Sequence, residues 1–72
     1  MVATNPATTF GAELQLARLE RGLTRKALAA RSGLSLVNIR RLEMTTQMPQ
    51  ERTLIALAKG LSLPIATLLE WR

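Results

Sequence analysis

Three observations predict that this 72-residue chain folds as a compact all-α domain of five short helices. Leu and Ala supply a third of the residues, 14 and 10, whereas Val and Ile together supply five. Leu and Ala lose little rotamer freedom in a helix and β-branched residues lose more, so the balance opposes a sheet. Glycines and prolines (Gly22, Gly33, Pro49, Gly60 and Pro64) cut the chain into pieces of two or three turns. Thr9, Thr24 and Ser35 stand where pieces begin and can cap them.

Residues 1–8 have no periodicity and contain Pro6, so they read as a flexible amino-terminal arm before a single domain over 9–72. Thr9 caps a first helix from Phe10 to about Arg21, with Glu13 near the positive end of its dipole. Phe10, Leu14 and Ala17 form its buried stripe, and Gly22 ends it in the left-handed region. Thr24 caps a second helix from Arg25 to Arg31, which ends at Ser32-Gly33. Ser35 caps a third, from Leu36 to about Met44. A polar loop follows, Thr45-Thr46-Gln47-Met48, closed by Pro49. The fourth helix runs from about Gln50 to Lys59, burying Leu54, Leu57, Ala58 and Leu61, with Gly60 as its stop. Pro64 sits where a first helical residue would, and a last helix from Ile65 to Trp71 buries Ile65 and Leu68.

Composition removes several kinds of chemistry. There is no Cys and no His, so no thiolate nucleophile, imidazole base or usual zinc site can form. Asp is also missing, which excludes a Ser-His-Asp arrangement. Five Glu are the remaining carboxylate side chains, at 13, 20, 43, 51 and 70, and none lies in a recognisable catalytic motif. Neither an enzyme nor a cofactor is expected. No apolar run approaches the roughly 18 residues of a membrane span. Met1 to Thr9 lacks the basic start and apolar centre of a secretory signal, so a cytoplasmic protein is expected.

The net charge of +5 is unevenly placed. Arg18, Arg21, Arg25, Lys26, Arg31, Arg40 and Arg41 fall within 24 residues that hold one anion, Glu20. A basic segment can be merely a solvated face, but such concentration favours an anionic partner, nucleic acid first.

The second and third helices carry the informative spacing. From Ala29, Gly33 follows at +4, Leu34 at +5, Ile39 at +10 and Leu42 at +13. A small Ala29 lets the helices cross closely, Gly33 permits the positive φ of a sharp turn, and Leu28, Leu34, Ile39 and Leu42 wedge the angle. This is helix-turn-helix spacing, in which the second helix enters the DNA major groove.

Residues 10–63 resemble the helix-turn-helix family of phage repressors and Cro proteins, the xenobiotic-response-element type of bacterial regulator. The resemblance rests on Phe10-Gly11, Leu14, Arg18, Gly22-Leu23-Thr24, Leu28-Ala29, Gly33, Ile39, Leu42-Glu43, Pro49 and Leu57-Ala58-Lys59-Gly60-Leu61. It implies a five-helix lambda-repressor-like DNA-binding domain, usually dimeric on a two-fold-symmetric operator. It also implies that Arg18 and Glu43 form a structural ion pair joining the first helix to the end of the third. The chain departs from the family at Arg25, where Gln is common, and at Met44, where Gly is usual. Leu36 and Val37 stand where relatives often carry polar base readers.

Turning the third helix at 100° per residue puts Ile39 and Leu42 inward with Glu43 beside them. Val37, Arg40, Arg41 and Met44 then point outward, and Leu36 and Asn38 flank. Val37 and Met44 are either scattered surface apolar residues or contacts for thymine methyl groups. Arg41 is the leading base reader, Arg40 a reader or phosphate clamp, and Asn38 secondary. Arg25 and Lys26 open the second helix at the positive end of its dipole, an unfavourable place for cations unless a phosphate joins them. Thr24, Ser35, Thr45, Thr46, Gln47 and Arg52 are further candidates for the DNA backbone, Ser35 being either a cap alone or a cap that also touches phosphate.

Ala12, Leu16 and Leu19 form a second apolar stripe on the first helix. Either the carboxy-terminal helix covers it, with Trp71 reaching over, or it is a face for a twin subunit or another protein, joined by Leu69 and Trp71. The leading expectation is a sequence-specific DNA-binding transcriptional regulator, a repressor acting as a homodimer on a palindromic operator. The alternative is an antitoxin-like or adaptor protein whose main task is binding another protein through Ala12, Leu16 and Leu19.

Overall fold

The computed structural model describes residues 9–71. The flexible arm expected over residues 1–8 therefore lies outside the described residues. Five helices and no strand occur among the described residues: α1 (Phe10–Glu20), α2 (Arg25–Ser32), α3 (Leu36–Leu42), α4 (Glu51–Leu61) and α5 (Ile65–Leu69).

The three hydroxyl caps are in place. Thr9 Oγ1 accepts from the Ala12 N–H at 3.1 Å, Thr24 Oγ1 from Ala27 at 3.0 Å, and Ser35 Oγ from Asn38 at 3.1 Å. Each satisfies a donor that the first turn leaves without an intrahelical partner, worth about 1 kcal/mol. Gly22 (φ 69°) and Gly33 (φ 77°) occupy the left-handed region after α1 and α2.

Several boundaries differ from the sequence reading. α3 stops at Leu42 rather than Met44: Glu43 is its cap, and Met44 lies in a following turn whose N–H donates to the Arg41 carbonyl at 3.0 Å. Gly60 does not end α4 but lies buried inside it. A Cβ at Gly60 would sit 2.9 Å from Leu28 Cδ1 and 3.0 Å from Ser32 Cβ, so this position lets α4 approach α2. The left-handed cap falls instead to Ser62 (φ 58°). Arg31 ties that end down, donating from Nε to the Gly60 carbonyl at 2.8 Å and from Nη2 to Ser62 Oγ at 3.0 Å. Pro64 is the cap of α5 rather than its first residue, and α5 ends at Leu69, leaving Trp71 outside the helix.

The core draws on all five helices. Phe10, Leu14, Leu28, Ile39, Leu57, Leu61 and Leu68 are fully buried. Ile65 is half-buried against this cluster rather than within it. Trp71 folds back onto Phe10, ring centroids 5.5 Å apart and tilted by 54°. α2 packs against both α4 and α3, and α3 also meets α1.

Candidate nucleic-acid interface

The α2–α3 turn is built as its spacing requires. Gly33 and Leu34 both donate their N–H to the Ala29 carbonyl, at 2.9 and 3.1 Å. Ala29 is buried at the crossing, Ile39 is fully buried, and Leu34 and Leu42 pack half-buried against the core. These contacts hold α3 from behind.

What α3 turns outward is a mixed basic and apolar surface. Val37 is 62% exposed and Met44 83%, and Asn38, Arg40 and Arg41 are exposed. Leu36 is half-buried at the edge. A recess of about 190 Å³ between α3 and α4 is lined by Leu34, Asn38, Arg41, Leu42 and Thr53, which puts Asn38 and Arg41 on a common rim. Val37 and Arg40 or Arg41 share one helical face at i and i+3 or i+4, and Met44 follows in the turn after the helix.

The far end of α3 is locked against α1. Gly11 donates its N–H to the Thr45 carbonyl at 3.0 Å, and Thr45 Oγ1 accepts from Gln47 at 3.2 Å. A Cβ on Gly11 would run into the Glu43 carbonyl and lie 2.8 Å from the Leu42 carbonyl oxygen. The loop after α3 is thus pinned by main-chain contact. Thr45 is half-buried there, while Thr46 and Gln47 are exposed.

Arg18 and Glu43 meet as a buried ion pair, Arg18 Nε to Glu43 Oε2 at 2.6 Å. Arg18 Nη1 also donates to the Leu23 carbonyl at 2.8 Å. The carboxylate has a second cation that the sequence reading did not find: Arg25 Nε donates to Glu43 Oε1 at 2.9 Å. Side-chain exposures of 2% for Glu43, 7% for Arg18 and 43% for Arg25 grade the triad from core to surface. Among the described residues no buried side-chain nitrogen or oxygen lacks a hydrogen-bond partner. Arg25 at the start of α2 therefore has an anionic partner within the protein, one that it shares with Arg18. Eighteen residues separate it from Glu43, beyond the reach of any helical periodicity.

Arg31 is likewise engaged, as the tether of α4. Of the central cations, Arg21, Lys26, Arg40 and Arg41 are exposed and enter none of the ion pairs among the described residues. Thr24 and Ser35 are exposed caps, and Arg52 is exposed on the first turn of α4.

The second apolar stripe is open. Ala12 is exposed, Leu16 is 53% and Leu19 57% exposed, and Leu69 on α5 is 49% exposed. Trp71 lines a recess of about 250 Å³ with Leu16, Ala17, Leu63 and Thr67, but its ring is spent on Phe10. Coverage of the stripe by the carboxy-terminal helix is therefore overturned: α5 is too short, and Trp71 packs inward.

A family model described as a helix-turn-helix domain matches residues 9–71. No curated protein matches the chain. Among solved structures, the chain is similar to the DNA-binding domain of the P22 C2 repressor, at 27% identity over 93% of this chain and 87% of that one, with a TM-score of 0.79. It is also similar to the restriction-modification controller protein C.AhdI from Aeromonas hydrophila, at 27% identity over 82% and 89% of the two chains, TM-score 0.75. The wild-type controller protein C.Esp1396I gives 27% identity over 83% and 78%, TM-score 0.75.

Proposed function

The chain belongs to the helix-turn-helix domain family, and from that premise we propose that it is a DNA-binding transcriptional regulator that lays α3 in the major groove of double-stranded DNA. One observation carries the reading: Val37, Arg40, Arg41 and Met44 stand exposed on the segment whose other side is fastened by Ile39, Leu42 and Glu43. A probe braced in this way keeps its side chains in register with base edges. Arg41 serves as the main base reader, suited to the O6 and N7 of guanine, with Arg40 as reader or clamp and Asn38 on the shared rim. Val37 and Met44 meet thymine methyl groups. Lys26, with Thr24, Ser35, Thr46, Gln47 and Arg52, contacts the sugar-phosphate backbone.

The protein acts as a repressor in the form of a homodimer on a two-fold-symmetric operator. One helix in one groove offers few base contacts, and a linked pair multiplies them. The likeness to a phage repressor domain and to controller proteins supports this reading. Selection of bound duplexes from a random pool tests it: a two-fold-symmetric motif is expected, and recovery of no motif refutes it. Affinity should fall linearly in log K against log[salt]. A second reading is favoured by the open stripe of Ala12, Leu16 and Leu19, which suits a protein partner, as in an antitoxin-like or adaptor protein. No helix among the described residues is long and apolar enough to cross a membrane.

A further inference from the structure

We infer that Glu43 is a positioning residue for DNA binding, holding the Arg25 guanidinium as a fixed phosphate clamp at the edge of the interface. The inference rests on the DNA-binding reading above and deepens it. The buried Arg18 donates to both oxygens of Glu43, from Nε to Oε2 at 2.6 Å and from Nη2 to Oε1 at 3.5 Å, which fixes the carboxylate plane; Oε1 also accepts from Arg25 Nε at 2.9 Å. Only one of the five N–H groups of Arg25 is used in that bond. Its two terminal amino groups have no hydrogen-bond partner among the described residues, on a side chain that is 43% exposed. Two arginines on one carboxylate leave one positive charge over, and it resides on the solvent side.

Guanidinium geometry explains why this arrangement is more than charge balance. Arg presents its donors on separate edges of a rigid plane, so one edge can bond a carboxylate while another faces a phosphate. Lysine is a point charge and cannot hold both partners in fixed directions. The clamp lies beside Lys26 and Thr24, and Glu43 also caps α3. One residue thus holds the clamp through its carboxylate and closes the reading helix through its main-chain N–H.

Three proteins decide the matter: the full chain, Arg25→Lys and Arg25→Ala, each titrated with cognate and random duplexes across a salt series. A preset clamp predicts that Arg25→Lys loses about tenfold in affinity on both duplexes, nearly as much as Arg25→Ala, although its charge is kept. The magnitude of the slope of log K against log[salt] should fall by about 0.9 in both variants. Arg25→Lys changes a half-exposed side chain, and its helical circular dichroism shows directly whether the fold persists. A lysine variant that binds like the parent, with the parent slope, overturns the inference while the DNA-binding reading stands. A parent chain with no salt-dependent duplex binding overturns both.

Discussion

Replacing Gly11 by alanine tests how α3 is seated. Gly11 lies in the first turn of α1 and outside the positive-φ region, so on conformational grounds alanine gains up to about 1 kcal/mol. The contact opposes that gain. The new Cβ would stand 2.5 Å from the Glu43 carbonyl carbon and 2.8 Å from the Leu42 carbonyl oxygen, both main chain at the end of α3. Ordinary contact needs about 3.4 Å or more, so the end of α3 has to retreat by the better part of an ångström. Overpacking of this kind costs about 1–3 kcal/mol when side chains can yield, and backbone yields less, so the net loss should be about 1–3 kcal/mol. A domain of this size holds about 4–11 kcal/mol in all, and each kcal/mol moves Tm by about 4–8 °C. Gly60→Ala supplies a graded comparison, because its nearest neighbour is the flexible end of Leu28; a smaller loss, about 0–2 kcal/mol, is expected. Gly33→Ala meets nothing within 4 Å but carries φ +77°, and should lose about 1 kcal/mol from backbone strain alone. Urea unfolding of the three variants gives the order. If Gly11→Ala is as stable as the parent, the close seating of α3 on α1 is wrong.

Glu43→Gln leaves the guanidinium of Arg18 buried without its anion and should cost about 3–5 kcal/mol by urea unfolding; a loss below about 1 kcal/mol would show that the pair is not buried as described. Arg41→Ala should weaken cognate binding by about 1–3 kcal/mol and relax preference at one base pair, whereas Lys26→Ala should weaken cognate and random duplexes alike. Equal losses on both duplexes from both changes refute that division of labour. Leu16→Glu should abolish self-association if the α1 stripe is the twin-subunit face, and sedimentation of an unchanged dimer would remove the stripe from that role.

Where the signal was local, sequence and structure agree. Hydroxyl caps at Thr9, Thr24 and Ser35 and the positive φ at Gly22 and Gly33 depend on neighbours within a turn or two. Disagreements arise where a residue answers to a distant partner. Gly60 has the local look of a stop, but its size is used by α2, and Ser62 takes the left-handed role with Arg31 holding it. Arg25 has the local look of an unbalanced cation, but Glu43 reaches it across the fold. Met44 continues the apolar repeat of α3 in the sequence, yet the helix ends before it, where Gly11 of α1 bonds the Thr45 carbonyl of the following loop.

The order of five helices, the turn between α2 and α3, and the outward row on α3 follow from the chain alone, because capping, turn chemistry and helical period are short-range properties. Which cations remain exposed, which glycine packs and which caps, and whether the α1 stripe is covered were settled only by tertiary packing. Those outcomes depend on distances between residues far apart in the chain, and a one-dimensional pattern carries no such distances.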